Sequence, residues 1–239
     1  MLQNVNPHNI LFLDIETVPQ HATHDQLNEA ENGLWAKKAK VLARGEDIAP
    51  ADMYDRAGIY AEFGKIVCIT VGAIRGQGAE RTFYLKSFAD HDEKKLLSEF
   101  NAMIDKNYSS PQHYLCGHNG KEFDFPYIAR RSLINGLRLP GPLDIAGKKP
   151  WEISHLDTME LWKFGDFKAY TPLALLAHCF GIPTPKDDID GSDVGRVYWE
   201  ENDLDRIVTY CEKDVFTLAQ VFLSMRGDAL LEKSSIRNA

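Results

Sequence analysis

Apolar residues recur along this chain with two spacings, one typical of strands and one typical of helices. Short runs rich in β-branched residues predict strands over 10–15, 65–74, 80–85 and 113–118, with a short strand near His155 and Leu156. Apolar positions at helical spacing predict helices over 92–106, 125–136, 172–179 and 203–225. Three successive strands followed by alternating helices and strands indicate an α/β fold, a mixed sheet flanked by helices.

A long segment separates the first two predicted strands. Its residues from Asp25 to Ala43 show a helical pattern. A second segment, much later in the chain, covers residues 181–195, which are polar, contain Pro and Gly, and predict a loop. With 239 residues and 44% hydrophobic content, the chain can bury one substantial core. We therefore expect a single domain over 1–239 with an insertion at about 19–62.

Two carboxylates lie close together at the first predicted strand. Asp14 and Glu16 are two residues apart, so they should project from the same face of the strand. Like charges about 4 Å apart repel by on the order of 4 kcal/mol at an intermediate dielectric, so this pair needs a positive partner. Magnesium prefers carboxylate oxygens and could supply it. The pair alone also fits an ordinary strand end followed by a loop.

The last predicted helix carries a tyrosine and an aspartate four residues apart. Tyr210 and Asp214 would lie one turn apart on the same side of it. Asp214 also borders the apolar stripe between Cys211 and Val215, where a carboxylate without a partner is unusual. A surface aspartate beside a packed tyrosine is the alternative interpretation.

A further aspartate precedes the predicted helix over 125–136. Asp124 stands just before Phe125 and Pro126, and both proline in the first turn and aspartate before it are typical of a helix start. Asp124 could therefore be an N-cap and nothing more. Asp157, beside the short predicted strand, is interpreted as structural.

Taken together, the three patterns resemble the exonuclease motifs of a known superfamily. D-x-E (Asp14, Glu16), N-x-x-x-F-D (Asn119 to Asp124) and Y-x-x-x-D (Tyr210, Asp214) resemble, in order and spacing, those of the DEDD 3′-to-5′ exonucleases. The chain looks most like the proofreading domain of family B DNA polymerases and its stand-alone relatives, from about Ile10 to Leu223. Tyr210 is typical of the tyrosine branch, because the other branch has a histidine where Thr209 stands.

The resemblance implies a ribonuclease H-like fold and removal of nucleotides from a 3′ end with two Mg²⁺ or Mn²⁺ ions. Asp14 would bridge both ions, Glu16 and Asp214 would complete the ion beside the attacking water, and Asp124 would hold the other through water. Tyr210 would orient the attacking water. Asn119 and Phe123 would contact the terminal nucleotides, although Phe123 could equally be a packing residue.

Composition limits the partners of the chain. The net charge is −8, but the segment 121–168 is slightly basic and interleaves cations with aromatic rings, as in grooves that bind single strands. Its basic residues are Lys121, Arg130, Arg131, Arg138, Lys148, Lys149, Lys163 and Lys168, and its aromatic residues include Trp151, Trp162, Phe164, Phe167 and Tyr170. A packed core and a solvated charged face are the alternative for any one of them. The expected substrate is single-stranded DNA.

Several other classes of protein are not indicated. The sequence has no apolar stretch of the roughly 20 residues that a membrane span needs, and its first residues lack the basic start of a signal peptide, so we expect a cytoplasmic protein without a membrane partner. The cysteines (Cys68, Cys116, Cys179, Cys211) are far apart, which predicts reduced, mostly buried thiols, not a zinc site or disulfides.

Two alternative functions remain. The chain could be an exonuclease that trims RNA, because the motifs do not reveal contacts to a 2′-hydroxyl. It could also be a catalytically silent nucleic-acid-binding module, although such a protein would be expected to lack at least one of the carboxylates. A proofreading role would require a polymerase partner in trans, and a repair partner is equally compatible with the sequence.

Overall fold

A six-stranded mixed sheet forms the centre of the structure, a computed structural model that describes residues 2–166, 168, 170–183 and 189–238. The strands are β1 (Ile10–Pro19), β2 (Gly64–Arg75), β3 (Thr82–Ala89), β4 (Tyr114–Gly117), β5 (Leu156–Asp157) and β6 (Ile236–Asn238). Their order is β5-β4-β1-β2-β3-β6. β1, β2 and β3 are antiparallel in succession, while β4 is parallel to β1 and to β5, and β6 is parallel to β3.

Helices cover both faces of the sheet, which confirms the predicted α/β fold. The helices are α1 (Glu29–Leu42), α2 (Glu93–Asn107), α3 (Asp124–Ile134), α4 (Thr158–Lys163), α5 (Leu173–Cys179), α6 (Val194–Arg196) and α7 (Leu204–Arg226). A π-helix (Val197–Glu201) follows α6 directly, and short 3₁₀ turns occupy several connections. Observed and predicted boundaries mostly differ by one to four residues, within the usual fraying of element ends.

Alternation along β1 assigns its side chains to the two layers. Leu11, Leu13 and Ile15 belong to the core on the side of α2 and α3. Ile10 and Phe12 belong to the opposite core, which α7 covers with Val215, Leu218 and Phe222. Because side chains alternate in a strand, Asp14 and Glu16 continue the row that faces α7. Apart from Asp14, the run over 10–15 is apolar because helices cover both of its faces.

The insertion between β1 and β2 has a small core of its own. Trp35, Met53 and Tyr54 are buried there, and the indole nitrogen of Trp35 donates to the carbonyl of Pro50 at 2.8 Å. α1 begins at Glu29, not at Asp25 as predicted, because Asn28 forms a capping box with Glu31. The limits of the insertion and the single-domain assignment stay predictions.

Residues 181–195 only partly form the predicted loop. Residues 184–188 lie outside the described part, whereas α6 begins at Val194 and the π-helix continues to Glu201. This helical segment closes over the end of β1, where the indole nitrogen of Trp199 donates to the carbonyl of Pro19 at 3.1 Å. The sequence also did not predict β6, a three-residue edge strand with no buried side chain.

Two further predictions concern the burial of the thiols and membrane-spanning segments. Cys68, Cys116 and Cys211 are buried free thiols, and Cys179 is exposed. In the part of the chain that the structure describes, no helix combines the length and the hydrophobicity that a membrane span requires.

Candidate active site

The carboxylates of β1 lie on the side of the sheet that α7 covers. One oxygen each from Asp14 and Glu16, together with the sulfur of Cys211, lie within 4.8 Å of one another. Glu16 is only 7% exposed and Asp14 is half-buried. The prediction that these two carboxylates share a face of the strand is therefore confirmed.

α7 brings the third motif to the same place. The Tyr210 hydroxyl is hydrogen-bonded to the carboxylate of Asp214, and Asp214 lies close enough to Asp14 and Glu16 to shift the pKa of both. The helix is fastened to the sheet beside this site, since Ser87 Oγ lies 2.9 Å from Glu212 Oε1 and 2.9 Å from Thr70 Oγ1. The helical spacing therefore places Tyr210 and Asp214 as predicted.

Asp124 reaches the site from the end of β4. In the register of the parallel pair, Phe12 is level with Cys116, so β4 ends just before the level of Asp14. The chain then turns back, and Asp124 Oδ1 accepts a hydrogen bond from the backbone N–H of Ile15 at 3.2 Å. Asp124 is 3% exposed and is the first residue of α3, not its N-cap. The capping interpretation is wrong, because the carboxylate bonds to β1 across the site.

The electrostatics of the site reflect crowded, buried negative charge. Burial raises the pKa of Asp14 well above its usual value, and the nearby carboxylates of Asp124 and Asp214 raise it further. Burial likewise raises the pKa of Glu16, with Asp14 and Asp214 adding to the effect. Burial raises the pKa of Asp124 to about 7, although hydrogen bonds from its own N–H and that of Ile15 favour the ionised form. The cluster therefore strongly favours a positive charge at its centre.

These donors fit a divalent cation with a preference for oxygen. Carboxylates from β1, α3 and α7 converge, and burial, with repulsion from neighbouring carboxylates, raises the pKa of Asp14, Glu16 and Asp124, so a bound cation would stabilise their ionised forms. Asp14 and Glu16 already offer oxygens within a few ångströms of each other. The residues present are thus suited to hold Mg²⁺ or Mn²⁺.

Cys211 is a member of the cluster that the sequence analysis assigned only to the buried core. Its sulfur lies 3.6 Å from Asp14 Oδ2, and burial, with the neighbouring Cys68, raises the pKa of the thiol, so the group stays neutral and donates to the carboxylate. The signal was present in the sequence, because Cys211 is three residues before Asp214 on the same helix. Its thiol therefore helps to hold Asp14.

Asp157 organises the loop that precedes Asp124. Its buried carboxylate caps α4 and also bonds to the loop, accepting from the backbone N–H groups of Asn119, Lys121, Met159 and Glu160 at 2.9 to 3.2 Å. These contacts agree with the structural role expected for Asp157. They also join α4 to the second motif in one rigid unit.

The two predicted substrate-binding residues differ in their surroundings. Asn119 adopts a left-handed backbone with φ 65°, a conformation that asparagine tolerates, and it is half-buried. Phe123 is half-buried against the core, with its ring centroid 5.3 Å from that of Tyr127. Packing therefore accounts for Phe123, while a contact of either residue with a nucleotide stays a prediction.

One of the predicted groove cations, Arg131, serves the fold instead, and a second, Lys121, forms an ion pair. Arg131 is buried and its Nε lies 2.9 Å from Glu93 Oε1, and Lys121 pairs with Glu160 at 2.7 Å. Arg131 thus cannot meet a phosphate, because Glu93 and the core enclose it. Trp162 also packs inward, against Phe180 at 5.5 Å. Phe167 lies outside the described residues.

Comparison with known proteins gives the family. A family described as "Predicted 3'-5' exonuclease related to the exonuclease domain of PolB" matches residues 59–234. The chain belongs to this family. Its matched span contains Asn119, Asp124, Tyr210 and Asp214 but begins after Asp14 and Glu16, which only the geometry of the chain brings close to Asp124 and Asp214. The resemblance to DEDD exonucleases related to family B polymerases is confirmed.

A solved structure shows the same fold. The family B DNA polymerase from the hyperthermophilic archaeon Pyrobaculum calidifontis is similar to this chain, with a TM-score of 0.53 and 16% sequence identity. The similarity covers 91% of this chain and 25% of the polymerase, so the chain spans about a quarter of that protein. It supports the predicted ribonuclease H-like fold. Comparison with curated proteins gives no significant match.

Proposed function

We propose that this member of the family is a metal-dependent exonuclease that removes nucleotides from the 3′ end of single-stranded DNA. The observation that supports the proposal is the convergence of the β1, α3 and α7 carboxylates in one buried cluster beside a tyrosine. A purely structural cluster would bury repelling charges with no gain in stability. Binding of cations and substrate gives this arrangement a physical reason.

The cations would be held by the four carboxylates predicted from the motifs. Asp14 and Glu16 would contribute from β1, Asp214 from α7 and Asp124 from α3. Two bound Mg²⁺ or Mn²⁺ ions would supply positive charge for the oxygens that become negative when a phosphodiester is attacked and its bond breaks. Cys211 helps to keep Asp14 in place, because its thiol donates a hydrogen bond to the carboxylate.

Tyr210 is proposed to orient the attacking water. Burial and the carboxylates of Asp214 and Glu16 raise the pKa of its phenol well above the usual value, so the hydroxyl keeps its proton at neutral pH. A group that holds its proton so firmly is a poor general base. The hydroxyl is held by Asp214 and can position a water at the edge of the carboxylate cluster.

The loop from Gly117 to Asp124 is proposed to receive the 3′-terminal nucleotide. Asp157 fixes the backbone of this loop through the N–H groups of Asn119 and Lys121, and the Asn119 amide would contact the nucleotide from this fixed backbone. Preorganised polar groups of this kind bind without a large loss of conformational entropy. A polymerase or repair protein acting in trans would supply the 3′ ends that this site trims.

The test is cleavage by the purified chain in Mg²⁺ or Mn²⁺. Single-stranded DNA, duplex DNA and RNA, each labelled at the 5′ end, are compared using wild type, Asp14→Asn and the exposed control Asp55→Asn. We expect a descending ladder on single-stranded DNA with wild type and Asp55→Asn, and none with Asp14→Asn.

Other outcomes would change the proposal in defined ways. Faster trimming of RNA would change the substrate class, and cuts within a circular strand would contradict exonuclease action. Binding without cleavage under all conditions would identify a silent binding module.

A further inference from the structure

The C-terminal end of α4 exposes an aromatic ring from an unfavourable backbone. Phe164 is 89% exposed and has φ 43°, in the left-handed region that bulky residues rarely adopt. Among the described residues, its one ring contact is with Trp162, at an edge-on angle and with centroids 6.2 Å apart. Such a conformation destabilises the free protein while burying little surface, which is typical of a residue kept for binding.

A second exposed ring lies on the segment that follows. Tyr170 is 63% exposed, and the ammonium nitrogen of Lys163 lies 5.9 Å from its ring centroid. The next residue, Thr171, accepts a hydrogen bond from His118 Nε2 at 2.8 Å. His118 immediately precedes Asn119, so the backbone beside Tyr170 is tied to the loop of the candidate active site.

Other contacts place both rings on the same unit as the second motif. Asp157 caps α4, which ends at Phe164, and it also binds the loop at Asn119. The carboxylates of Glu122 and Asp157 add to burial in raising the pKa of the Tyr170 phenol, so the ring lies near that loop. The backbone beside Tyr170 is therefore hydrogen-bonded to the loop directly, and Phe164 is connected to it through α4 and Asp157.

We propose that Phe164 and Tyr170, with Lys163, which directly precedes Phe164 in the chain, form a stacking platform for the unpaired bases next to the 3′-terminal nucleotide. This inference rests on the proposed function and extends it to a length of substrate beyond the scissile bond. Aromatic faces bind bases of any sequence, and ammonium groups bind the phosphates between them. The segment 163–170 contains two lysines, Lys163 and Lys168, and one acidic residue, Asp166. Its net positive charge suits a polyanion.

A matched control lies elsewhere on the protein. Trp151 is 78% exposed, and the ammonium nitrogen of Lys149 lies 5.4 Å from its ring. Trp151 precedes β5, whereas Asp157 is the last residue of that strand. Near Trp151 in the chain, Glu152 and His155 line a surface depression together with Tyr108. Although Trp151 belongs to the aromatic residues of the segment 121–168, no hydrogen bond or ring contact joins its side chain to the loop from Gly117 to Asp124 among the described residues, so the platform hypothesis assigns it no role.

The experiment compares Phe164→Gly, Tyr170→Ala and Trp151→Ala on two substrates. One is 5′-labelled oligothymidylate, and the other is thymidine 5′-(p-nitrophenyl phosphate), which has no neighbouring base. On the oligonucleotide we expect KM to rise by about 5- to 150-fold for each platform variant, corresponding to the loss of one stacked base. Trp151→Ala should resemble wild type, and the small ester should be cleaved equally by all.

An oligothymidylate with abasic residues next to its 3′ nucleotide completes the cycle. On this abasic strand the KM of wild type should rise by the same factor as the KM of the variants rises on the normal strand. The KM of the variants should rise little further. Glycine at position 164 removes the left-handed strain, so that variant should fold at least as well as wild type by thermal unfolding.

The two levels of the hypothesis fail differently. Wild type that cleaves neither substrate overturns the proposed function. The platform alone is overturned if wild type cleaves both substrates but the KM increases from the variants and from the abasic strand are additive. An increase for Trp151→Ala equal to that of the platform variants overturns it as well.

Discussion

Asp124 Oδ1 accepts a hydrogen bond from the backbone N–H of Ile15 at 3.2 Å, so a residue of α3 is fixed to the centre of β1. Ile15 stands between Asp14 and Glu16 in the chain. The backbone that presents two carboxylates to the site therefore also determines the position of a third. A displacement of this strand would therefore disturb all three carboxylates together.

Removal of one carboxylate should abolish activity without weakening the fold. In Asp14→Asn or Asp214→Asn, the loss of a charge relieves repulsion in the cluster, so the melting temperature of the metal-free protein should stay equal or rise. Cleavage of labelled single-stranded DNA should become undetectable. Thermal unfolding in EDTA and cleavage assays on the same preparations check both parts.

The control for charge alone is Asp55→Asn. This exposed residue lies in the insertion, and its replacement should leave activity and stability within about 0.5 kcal/mol of wild type. If the site variants unfold while wild type shows no cleavage that depends on metal, the carboxylates are structural.

The stability of the metal-free protein should contain a component that decreases as pH rises. Burial raises the pKa of Asp124 from 3.8 to about 7, so the folded state binds this proton more tightly than the unfolded chain. Its contribution is complete below pH 3.8 and is lost as pH rises through about 7. Integrated over the shift, it amounts to about 2 to 4 kcal/mol.

Urea unfolding of wild type and Asp124→Asn in EDTA between pH 5 and pH 8 reports this component together with the part of the Asp14 and Glu16 pKa shifts that the Asp124 charge causes, which has the same sign. Burial lowers the pKa of His118 and His155, which adds the opposite slope, but equally in both proteins. The stability of wild type relative to the variant should therefore decrease with rising pH. A constant difference would show that Asp124 titrates normally.

Tyr210→Phe should slow cleavage while leaving metal binding nearly intact. The variant keeps the ring but loses the hydroxyl that Asp214 holds. Loss of one oriented hydrogen bond in the transition state raises the barrier by about 2 to 4 kcal/mol, or about 30- to 1,000-fold in rate. Single-turnover cleavage and calorimetric titration with Mn²⁺ separate the two effects.

Tyr127→Phe is the matched control for a lost buried hydroxyl. Its hydroxyl donates to the carbonyl of Gly58 at 2.7 Å, away from the carboxylates. This variant should lose about 1 to 2 kcal/mol of stability and keep its activity. Weaker Mn²⁺ binding by Tyr210→Phe would show instead that the hydroxyl supports Asp214.

Asp157→Ala should reduce both stability and activity, although Asp157 is not among the proposed metal ligands. Its carboxylate accepts four backbone hydrogen bonds that join α4 to the active-site loop. Leaving these buried donors unpaired should destabilise the protein by about 2 to 5 kcal/mol. Denaturant unfolding measures the loss, and kcat at saturating substrate reports the displaced loop.

Asp92→Ala is the corresponding control, because Asp92 caps α2 through one bond to the N–H of Lys95 at 3.2 Å. It should lose about 1 kcal/mol with unchanged kcat. If Asp157→Ala behaves in the same way, Asp157 is a helix cap only.

Local patterns were sufficient for the main elements because both signals come from neighbours in the chain. The helical stripe predicted α7 to within one residue at each end, and the apolar run predicted the start of β1, although the strand continues to Pro19 and not to residue 15. The i, i+4 spacing placed Tyr210 beside Asp214. β6 was missed because an exposed edge strand of three residues carries no hydrophobic pattern. α1 began later than predicted because the capping box at Asn28 ends the preceding turn.

Pairing between distant segments could not be deduced from periodicity. Asp124 satisfied every local rule for an N-cap, yet its carboxylate bonds to β1, more than a hundred positions earlier in the chain. Arg131 had the sequence context of a surface cation, but Glu93 holds it in the core. Cys211 looked like an ordinary core thiol until α7 was placed across β1.

The sequence by itself determined which chemistry is present: four carboxylates and a tyrosine in three motifs, of which the first and third each lie within one element whose period follows from local backbone geometry. Only the tertiary structure decided which polar groups meet. The parallel register of β1 and β4 brings the loop of the second motif level with Asp14, and the packing of α7 on β1 adds the third. Such contacts depend on how whole elements bury their apolar faces against one another, which neighbouring residues alone do not encode.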